Sequence, residues 1–477
     1  MKKLLYIDLF CGAGGTSTGV EAATLNGQKC AKVIACVNHD PHAIASHLAN
    51  HPEAKHYTED IRTLDLTTLV RHADEQRKKN PGALLVLWAS LECTNFSRAK
   101  GGMPRDADSR TLAEHLFRYI DALKPDYIQI ENVREFMMWG DLDENGRPVS
   151  KDAGRLYLRW VKNVCSRGYR FDHRVLNAAD YGAYTSRERF FGIFAKGDLP
   201  IVFPTPTHSR NGSRNLFGKT SAWRPVREVL DLADGGRSIF RDKPLSENTL
   251  RRIYAGLIKF VAGGKEPFTK AQFLSKYFSG DVKDKNISVD GPAGTITTKD
   301  HHSLITSHFL DNQYGTGVPS SVETAAWTVT TNPKLNLVSV KKCAGSDSQK
   351  LHFLVNPQFK SDGASVDKPC FTLIARMDKK PPYLVSTETG EPSIVVYDSD
   401  SEMTVKIKEF MAMYRITDIC MRMLKIPELK KIMGFPEDYV LVGTQTEQKK
   451  YIGNAVETHM ACALCRSISE EINRMAS

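Results

Sequence analysis

The chain has 477 residues, of which 41% are hydrophobic, 9% aromatic and 25% charged. This composition is ordinary for a globular protein and excludes a disordered, collagen-like or polytopic membrane protein. The 65 Lys and Arg residues exceed the 55 Asp and Glu residues, so the formal charge of +10 suits a polyanionic partner without identifying one. Ten cysteines are too few for a disulfide scaffold. We therefore expect a reduced, cytoplasmic protein without a membrane span.

The first 200 residues alternate between strand-like and helix-like patterns. Apolar, β-rich runs predict strands at Leu4–Phe10, Lys32–Val37, Ala83–Trp88, Tyr127–Ile130 and Phe190–Ala195. Between them, Leu112, Leu116, Ile120 and Leu123 have the spacing of one helix face. This alternation predicts an α/β fold with a mostly parallel sheet and helices on both faces. In such sheets ligands bind beyond the carboxyl ends of the strands.

The middle of the chain has a different pattern. A stretch rich in Pro, Ser and Thr at 201–214 is typical of a linker, and residues 241–300 carry 11 Lys and Arg against 7 Asp and Glu. A short motif recurs around Thr295, Thr328 and Thr372 and predicts β-hairpins. From Ile416 onward the helical pattern returns. We predict one domain made of residues 1–203 and 411–477, and a smaller, β-rich domain inserted at 204–410.

Polar residues follow the predicted strands. The first strand runs into Asp8-Leu-Phe-Cys-Gly-Ala-Gly-Gly15, whose glycines let a backbone approach a ligand closely, although a purely structural turn has the same pattern. Ser17 stands at the third glycine of a nicotinamide-binding turn, which disfavours an oxidoreductase. Asn38-His39 would follow the second strand, Lys32–Val37, where a plain surface turn is the alternative. Asp60-Ile61 would follow a third strand position, which lies before the strand Ala83–Trp88 and is marked by no apolar run of its own; an exposed Asp is the alternative there.

Four further residues predict chemistry. Cys93, just beyond the fourth strand, is a candidate nucleophile, although a lone cysteine is also typical of core packing. Glu131 ends the fifth strand, where a buried carboxyl is costly unless it binds something or forms an ion pair. Arg187 and Arg189 share one face of an extended segment and suit a phosphate or a carbonyl oxygen, with a salt bridge as the alternative.

Taken in order, these motifs and Gly453-Asn-Ala-Val456 resemble the cytosine-5 DNA methyltransferases over residues 4–200 and roughly 410–477. The resemblance implies a Rossmann-like methyltransferase domain with 204–410 as its target-recognition domain. It implies no metal, and Cys93, Glu131, Asn132, Arg187 and Arg189 as the catalytic set. It implies that S-adenosylmethionine, which leaves as S-adenosylhomocysteine, is bound by Asp8, Phe10, Cys11, Gly12, Ala13, Gly14, Gly15, Asn38, His39, Asp60, Ile61, Asn454, Ala455 and Val456.

The sequence departs from the family pattern near the nucleophile and in the cofactor region. Leu91-Glu92 precede Cys93 where Pro is usual, and Thr94 follows it where Gln is usual. Further departures are Asn38 in place of Glu, Thr185 in place of Gln and Glu457 in place of Pro. The departures around Cys93 bear on the rigidity of the nucleophile loop, and Asn38 in place of Glu bears on cofactor affinity.

The function implied by the resemblance is methylation of carbon 5 of a flipped cytosine in a specific duplex DNA sequence, through a covalent Cys93 intermediate. Its setting would be restriction-modification, or epigenetic or phage DNA protection. The enzyme would be a monomer, and its partners would be duplex DNA and a cognate restriction endonuclease. Two alternatives remain open: a tRNA cytosine-5 methyltransferase and a catalytically inactive DNA-binding relative.

Overall fold

The structure is a computed structural model. It describes residues 1–91, residues 112–260 apart from 142, 145–148, 150–152, 216–217, 232 and 235, and residue 262. It also describes the segments 273–276, 286–288, 302–305, 336–342, 351–355, 364–368, 383–389, 394–414 and 416–476. Several sequence predictions fall outside the described residues, namely those on Glu92, Cys93, Thr94, Thr295, Thr328 and Thr372.

The first 203 residues build the α/β part of the fold. Its elements, in chain order, are β1 (Leu4–Leu9), α1 (Gly15–Ala22), β2 (Thr24–Leu25), β3 (Gln28–Lys29), β4 (Ala31–Asn38), α2 (Pro41–Asn50), β5 (Lys55–Thr58), α3 (Leu66–Lys79), β6 (Leu84–Ser90), α4 (Leu116–Leu123), β7 (Tyr127–Asn132), α5 (Arg155–Cys165), β8 (Tyr169–Asn177) and β9 (Glu188–Lys196). All five predicted strands are present. The sequence analysis missed β5 and β8, which are short or partly exposed and lack a continuous apolar run.

Seven of these strands form one sheet in the order β5-β4-β1-β6-β7-β9-β8. Neighbouring strands from β5 to β7 are parallel, whereas β9 is antiparallel to both β7 and β8. The predicted mostly parallel α/β sheet is confirmed. The strand order reverses between β1 and β6, and the crevice outside the carboxyl ends of these strands is the place where such folds bind ligands.

Strand β1 shows why the sheet is covered on both faces. Leu5, Ile7 and Leu9 belong to the apolar cluster that includes side chains of α3, α4 and α5. Leu4 and Tyr6 point to the other face, into a cluster with side chains of α1 and the C-terminal helix. Successive side chains of a strand alternate between faces, so a strand that is apolar throughout is buried on both sides.

The middle of the chain is rich in strands, as predicted. Its described elements are β10 (His208–Ser209), β11 (Ser213–Asn215), β12 (Gly218–Ala222), β13 (Arg237–Ser238), α6 (Glu247–Phe260), β14 (Phe273–Lys276), β15 (Asn286–Ser288), β16 (His302–Ile305), β17 (Asn336–Lys342), β18 (Leu351–Val355), β19 (Ala364–Ser365), β20 (Tyr383–Thr389), α7 (Glu402–Met413) and β21 (Ile416–Met423). Six of them form a second sheet: β13-β21-β17-β18-β19, with β20 paired to β18 and β21.

Strand β21 corrects one sequence interpretation, because residues 416–423 were predicted to be helical. Ile419 and Met421 are buried and alternate with the half-buried Asp418 and Arg422, which is the period of a strand. β21 pairs with β13, β17 and β20, so it belongs to the second sheet. Partners distant in sequence impose this strand, and they cannot be read from eight residues.

The remaining elements are helices, of which the last packs on the first sheet, whereas Leu429 and Ile432 of the first helix lie in an apolar cluster with Val226 of the middle segment. They are α8 (Ile426–Ile432), α9 (Gln445–Asn454) and α10 (Thr458–Ala476). α10 packs closely on α1, where a Cβ on Gly19 would lie 2.3 Å from the carbonyl oxygen of Thr458. Among the described residues, no helix has the length and apolar character needed to cross a membrane.

Candidate active site

The turn after β1 begins at a buried carboxyl group. Asp8 is fully buried, and its Oδ2 accepts a hydrogen bond of 2.8 Å from the Ser17 hydroxyl. Burial raises the pKa of Asp8, and the Ser17 bond acts in the opposite direction. Oδ1 of Asp8 has no hydrogen-bond partner among the described residues. The turn therefore contains one unsatisfied acceptor at the carboxyl end of β1.

The three glycines of this turn serve different purposes. A Cβ on Gly14 would lie 2.3 Å from the Tyr439 hydroxyl, and one on Gly15 would lie 2.5 Å from the carbonyl oxygen of Val456. Both glycines thus allow the turn to pack against the C-terminal part of the chain. Gly12 has a φ of +53° and a Cβ there would meet no atom within 4 Å. It therefore borders open space that a ligand can enter.

The carboxyl end of β4 forms a polar turn before α2. Oδ1 of Asn38 accepts a hydrogen bond of 2.9 Å from the backbone N–H of Asp40. Asp40 caps α2 by accepting from the N–H groups of His42 and Ala43. Its carboxyl also accepts from the Tyr451 hydroxyl. The Asn38 carbonyl thus shapes the turn, while His39 is exposed.

Asp60 and Ile61 follow β5, a strand for which the sequence analysis gave no bounds. Asp60 forms an ion pair of 2.6 Å with Arg62 and remains about a third exposed, at 35% of its side chain. The hydrogen bond from Arg62 lowers the pKa of Asp60 to about 2. Ile61 is buried, and its carbonyl accepts from Tyr119. Asp60 is therefore a charged, partly exposed carboxylate in the turn after β5.

Glu131, Arg187 and Arg189 meet at the carboxyl end of β7. They line one small cavity together with Ala178, Phe191, Val456, Glu457 and Met460. Nε of Arg189 lies 3.3 Å from Oε1 of Glu131, and both side chains are more than nine-tenths buried. Burial raises the pKa of Glu131, and the two guanidinium groups only partly offset this effect. The cavity therefore combines a carboxyl that retains its proton unusually well with two fixed cations.

Asn132 connects this cavity to the segment that contains Cys93. Its Nδ2 donates to the carbonyl oxygen of Leu91 at 3.3 Å, and its Oδ1 accepts from the N–H of Val133. Leu91 is the last described residue before Cys93, from which it is separated by Glu92 alone. Asn132 thus fixes the point where the chain leaves β6.

The segment Gly453–Val456 adjoins both halves of the site. Nη1 of Arg187 donates to the Gly453 carbonyl oxygen at 3.2 Å. Val456 contacts the β1 turn at Gly15 and also lines the cavity around Glu131. Asn454 is exposed and Ala455 half-buried. This short segment therefore joins the predicted cofactor turn to the predicted catalytic cavity.

The structure adds residues that the sequence analysis did not assign to the site. The Tyr439 hydroxyl donates to the carbonyl oxygen of Ala13 within the β1 turn. Ser17 holds Asp8, and buried Glu457 lines the cavity while accepting from the N–H of Met460. No local sequence pattern links Tyr439 to a turn 426 residues away.

We expect Ser17→Ala to reduce the free energy of unfolding by about 1–3 kcal/mol, because it removes the hydrogen bond to a buried carboxyl. Urea denaturation followed by circular dichroism measures this change. Ser467→Ala is the control, since the Ser467 hydroxyl bonds only a carbonyl of its own helix and its loss should cost less than about 0.5 kcal/mol. Equal effects of the two substitutions would contradict the role assigned to Ser17.

Comparison with known proteins identifies the family. The model of the C-5 cytosine-specific DNA methylases matches residues 4–470 of the chain. The chain belongs to this family. The match spans the seven-stranded sheet, the middle segment and the C-terminal helices, so the predicted family and the methyltransferase fold with its β-rich insertion are confirmed.

Individual relatives are distant or much longer. Type II methyltransferase M1.HphI of Haemophilus parahaemolyticus is 29% identical over 208 residues, which are 43% of this chain and 50% of that protein. DNA (cytosine-5)-methyltransferase 2 of Arabidopsis thaliana is 22% identical over 514 residues, covering 98% of this chain but 29% of that protein. The chain thus spans about half or less of these relatives. The S. pombe Dnmt2 methyltransferase structure is 16% identical and superposes with a TM-score of 0.46, covering 99% of this chain and 100% of that one.

Proposed function

We propose that the chain is a DNA (cytosine-5) methyltransferase that methylates carbon 5 of a flipped cytosine within a specific duplex sequence. The observation that carries the proposal is the cavity where Glu131, Arg187 and Arg189 meet, next to the segment that leads to Cys93. S-adenosylmethionine, when bound, supplies the electrophilic methyl group.

The residues of the β1 turn fit such a donor. Gly12 borders open space, and buried Asp8 has an acceptor oxygen without a partner among the described residues. We propose that the rest of Phe10–Gly15, together with Asn38, His39, Asp60, Ile61 and Asn454–Val456, completes the binding site. Hydroxyl and amine groups of a nucleoside suit the carbonyl and carboxylate acceptors at these turns.

Cytosine carbon 5 is too weak a nucleophile to attack a methyl sulfonium directly, so the protein must first activate the ring. The Cys93 thiolate adds to carbon 6, forming a C–S bond and moving an electron pair toward carbon 5. Glu131 gives its proton to N3 as negative charge develops on the ring. Arg189 and Arg187 stabilise the O2 side of the base and hold its position. Carbon 5 would then take the methyl group as the bond from that group to the sulfonium sulfur breaks. Loss of the carbon-5 proton to a base expels the Cys93 thiolate, and N3 returns its proton to Glu131 as the ring is restored.

The target atoms are out of reach in a stacked duplex, so the base must leave the helix at a cost of a few kcal/mol. We propose that the β-rich segment from residue 204 onward grips the duplex and selects the site, while 1–203 and the C-terminal helices bind cofactor and base. The predicted boundary lies at 410, but the pairing of β21 with three strands of the second sheet favours a boundary after Met423.

Exposed cations of the middle segment should contact phosphates. Arg251 is exposed on α6, and we expect Arg251→Ala to weaken binding to all duplexes alike and to reduce the salt slope of log K by about 0.9. Fluorescence anisotropy over a salt series measures this slope. Arg474→Ala on the C-terminal helix is the charge-matched control, and equal slopes for both variants would argue against this role for α6.

A matched pair of glycine substitutions tests the cofactor turn. Gly12→Ala places a methyl group in open space at positive φ, so it should cost about 1–2 kcal/mol of stability and also weaken S-adenosylhomocysteine binding. Gly15→Ala forces a Cβ against the Val456 backbone and should destabilise the fold by about 1–3 kcal/mol or more. Thermal unfolding and calorimetric titration separate the two effects. Unchanged ligand affinity in Gly12→Ala would exclude Gly12 from the binding site.

The substrate is tested by methyl transfer from tritiated S-adenosylmethionine to two acceptors, duplex DNA and a tRNA transcript. We expect incorporation into DNA and little into tRNA. The opposite preference would replace the proposal with a tRNA methyltransferase, and incorporation into neither would favour an inactive DNA-binding relative. We further propose that the enzyme acts as a cytoplasmic monomer at the nucleoid, in restriction-modification or phage DNA protection, alongside a cognate endonuclease.

A further inference from the structure

Two cysteines and two histidines from four different elements meet below the β1 turn. Cys11 lies in the turn, Cys36 on β4, His47 on α2 and His56 on β5. The ligand atoms of Cys11, Cys36 and His47 all lie within 4.8 Å of one another. Sγ of Cys36 is 3.7 Å from Nδ1 of His47, which is 2.9 Å from Nε2 of His56. Cys36 and His47 are fully buried, and Cys11 is 6% exposed.

The hydrogen bonds of His47 determine which of its nitrogens carries the proton. The Ser17 hydroxyl donates its single proton to Asp8, so its oxygen can only accept from Nε2 of His47, at 2.9 Å. In a neutral ring with a protonated Nε2, Nδ1 has a free lone pair. That lone pair faces the Cys36 sulfur and the second histidine.

The sulfur–nitrogen spacing is that of a tetrahedral metal centre, whereas the two imidazole nitrogens lie closer together than they would on a bound ion. Zn–S bonds of about 2.3 Å and Zn–N bonds of about 2.0–2.1 Å place sulfur and nitrogen ligands about 3.6 Å apart, and two nitrogen ligands about 3.3 Å apart. The corresponding distances here are 3.7 Å and 2.9 Å. The outer contacts also fit, because metal-binding histidines usually donate their second N–H to an oxygen that is itself hydrogen-bonded, as Ser17 is to Asp8.

The charges of the proposed ligands and of a divalent metal ion also balance. Two thiolates and two neutral imidazoles around a divalent cation have no net charge, which suits a site with almost no exposure.

We propose that Cys11, Cys36, His47 and His56 bind one structural zinc ion. Two thiolates and two imidazoles in a tetrahedral arrangement select zinc among the common divalent metals. On binding, the ion displaces the thiol protons, which pass to solvent, and four protein ligands leave no open position for chemistry. His56 is half-buried and provides the edge by which the metal enters. The ion ties the β1 turn to β4, α2 and β5.

The proposed site differs from the expectation of a metal-free protein that the family resemblance implied. The four ligands proposed here are 25, 11 and 9 residues apart and form no recognised motif, so only the fold brings them together.

Metal content of the full-length chain tests the site. Protein purified without chelator, loaded with zinc sulfate and desalted should hold about one zinc per chain by mass spectrometry of the element. Cys36→Ser and His47→Ala should lose nearly all of it, while Cys165→Ser on α5 and Cys93→Ser should retain it. Ser17→Ala should weaken zinc binding about 10–100-fold in a chelator competition. Absence of zinc from the loaded wild-type chain, or full zinc content in both ligand variants, would overturn the proposal.

A second measurement needs no variant to fold. Cobalt(II) added to wild-type chain should give the visible bands of a tetrahedral thiolate site. Added zinc should remove these bands. The rate of alkylation, followed by peptide mass spectrometry, should rise at Cys11 and Cys36 after treatment with a zinc chelator and stay unchanged at Cys30 and Cys465, which lie in a different apolar cluster. Octahedral cobalt spectra, or labelling that does not respond to the chelator, would equally contradict the site.

Discussion

Replacing Cys93 with serine is expected to abolish both methyl transfer and covalent capture of the target base. A serine hydroxyl is far less ionised than a thiol near neutral pH and adds poorly to carbon 6. The test uses duplex DNA with 5-fluorocytosine, in which fluorine blocks the loss of the carbon-5 proton and traps the adduct. Wild-type protein with S-adenosylmethionine should form a complex that survives denaturing electrophoresis, and Cys93→Ser should form none.

The matched control is Cys165→Ser. Cys165 lies on α5 and packs against the apolar cluster that contains Leu5, Ile7 and Leu9 of β1. The variant should trap the fluorinated base as wild type does. A stable adduct with Cys93→Ser, or loss of trapping in the Cys165 control, would remove Cys93 from the role of nucleophile.

Glu131→Gln is expected to slow methyl transfer by about 10²–10⁴-fold, the usual contribution of a positioned acid. The amide can still hydrogen-bond the base but cannot give N3 a proton. Burial raises the pKa of Glu131, so the proton needed for donation persists to higher pH than in a free carboxyl. Activity that depends on this acid is therefore present below the raised pKa and declines as pH rises through it. Single-turnover rates between about pH 5 and pH 9 should lose that decline in the variant.

Glu188→Gln is the control, because Glu188 lies between the two arginines in sequence but is exposed. Its rate should stay within a factor of about two of the wild type. If Glu131→Gln retains the wild-type rate and pH profile, the proton at N3 comes from another group.

The sequence predicts the sheet well because its strands are buried on both faces. Continuous apolar runs such as Leu84–Trp88 have few alternative conformations in a globular chain. β5 and β21 escape prediction for a physical reason. In β5 only Tyr57 of the four residues is buried, so the apolar signal is weak. β21 is a strand only because β17 and β20 pair with it.

The candidate site is predictable where chemistry follows a strand directly. Asp8, Glu131 and the two arginines are at strand ends, and the fold places them as the alternation implies. Contacts across the chain are different in kind. Tyr439 bonds Ala13 from 426 residues away, and Cys36 meets His47 because β4 packs beside α2. Such contacts depend on tertiary packing, which a single sequence does not display.

The most direct test of the central proposal is base-resolution sequencing of 5-methylcytosine in DNA from cells that express the chain, in a host without cytosine-5 methylation. The account predicts methylation of nearly every cytosine at one short sequence and none in cells that express Cys93→Ser. Unmodified DNA in cells where the wild-type chain is folded, or methylation that persists in the Cys93 variant, would contradict it.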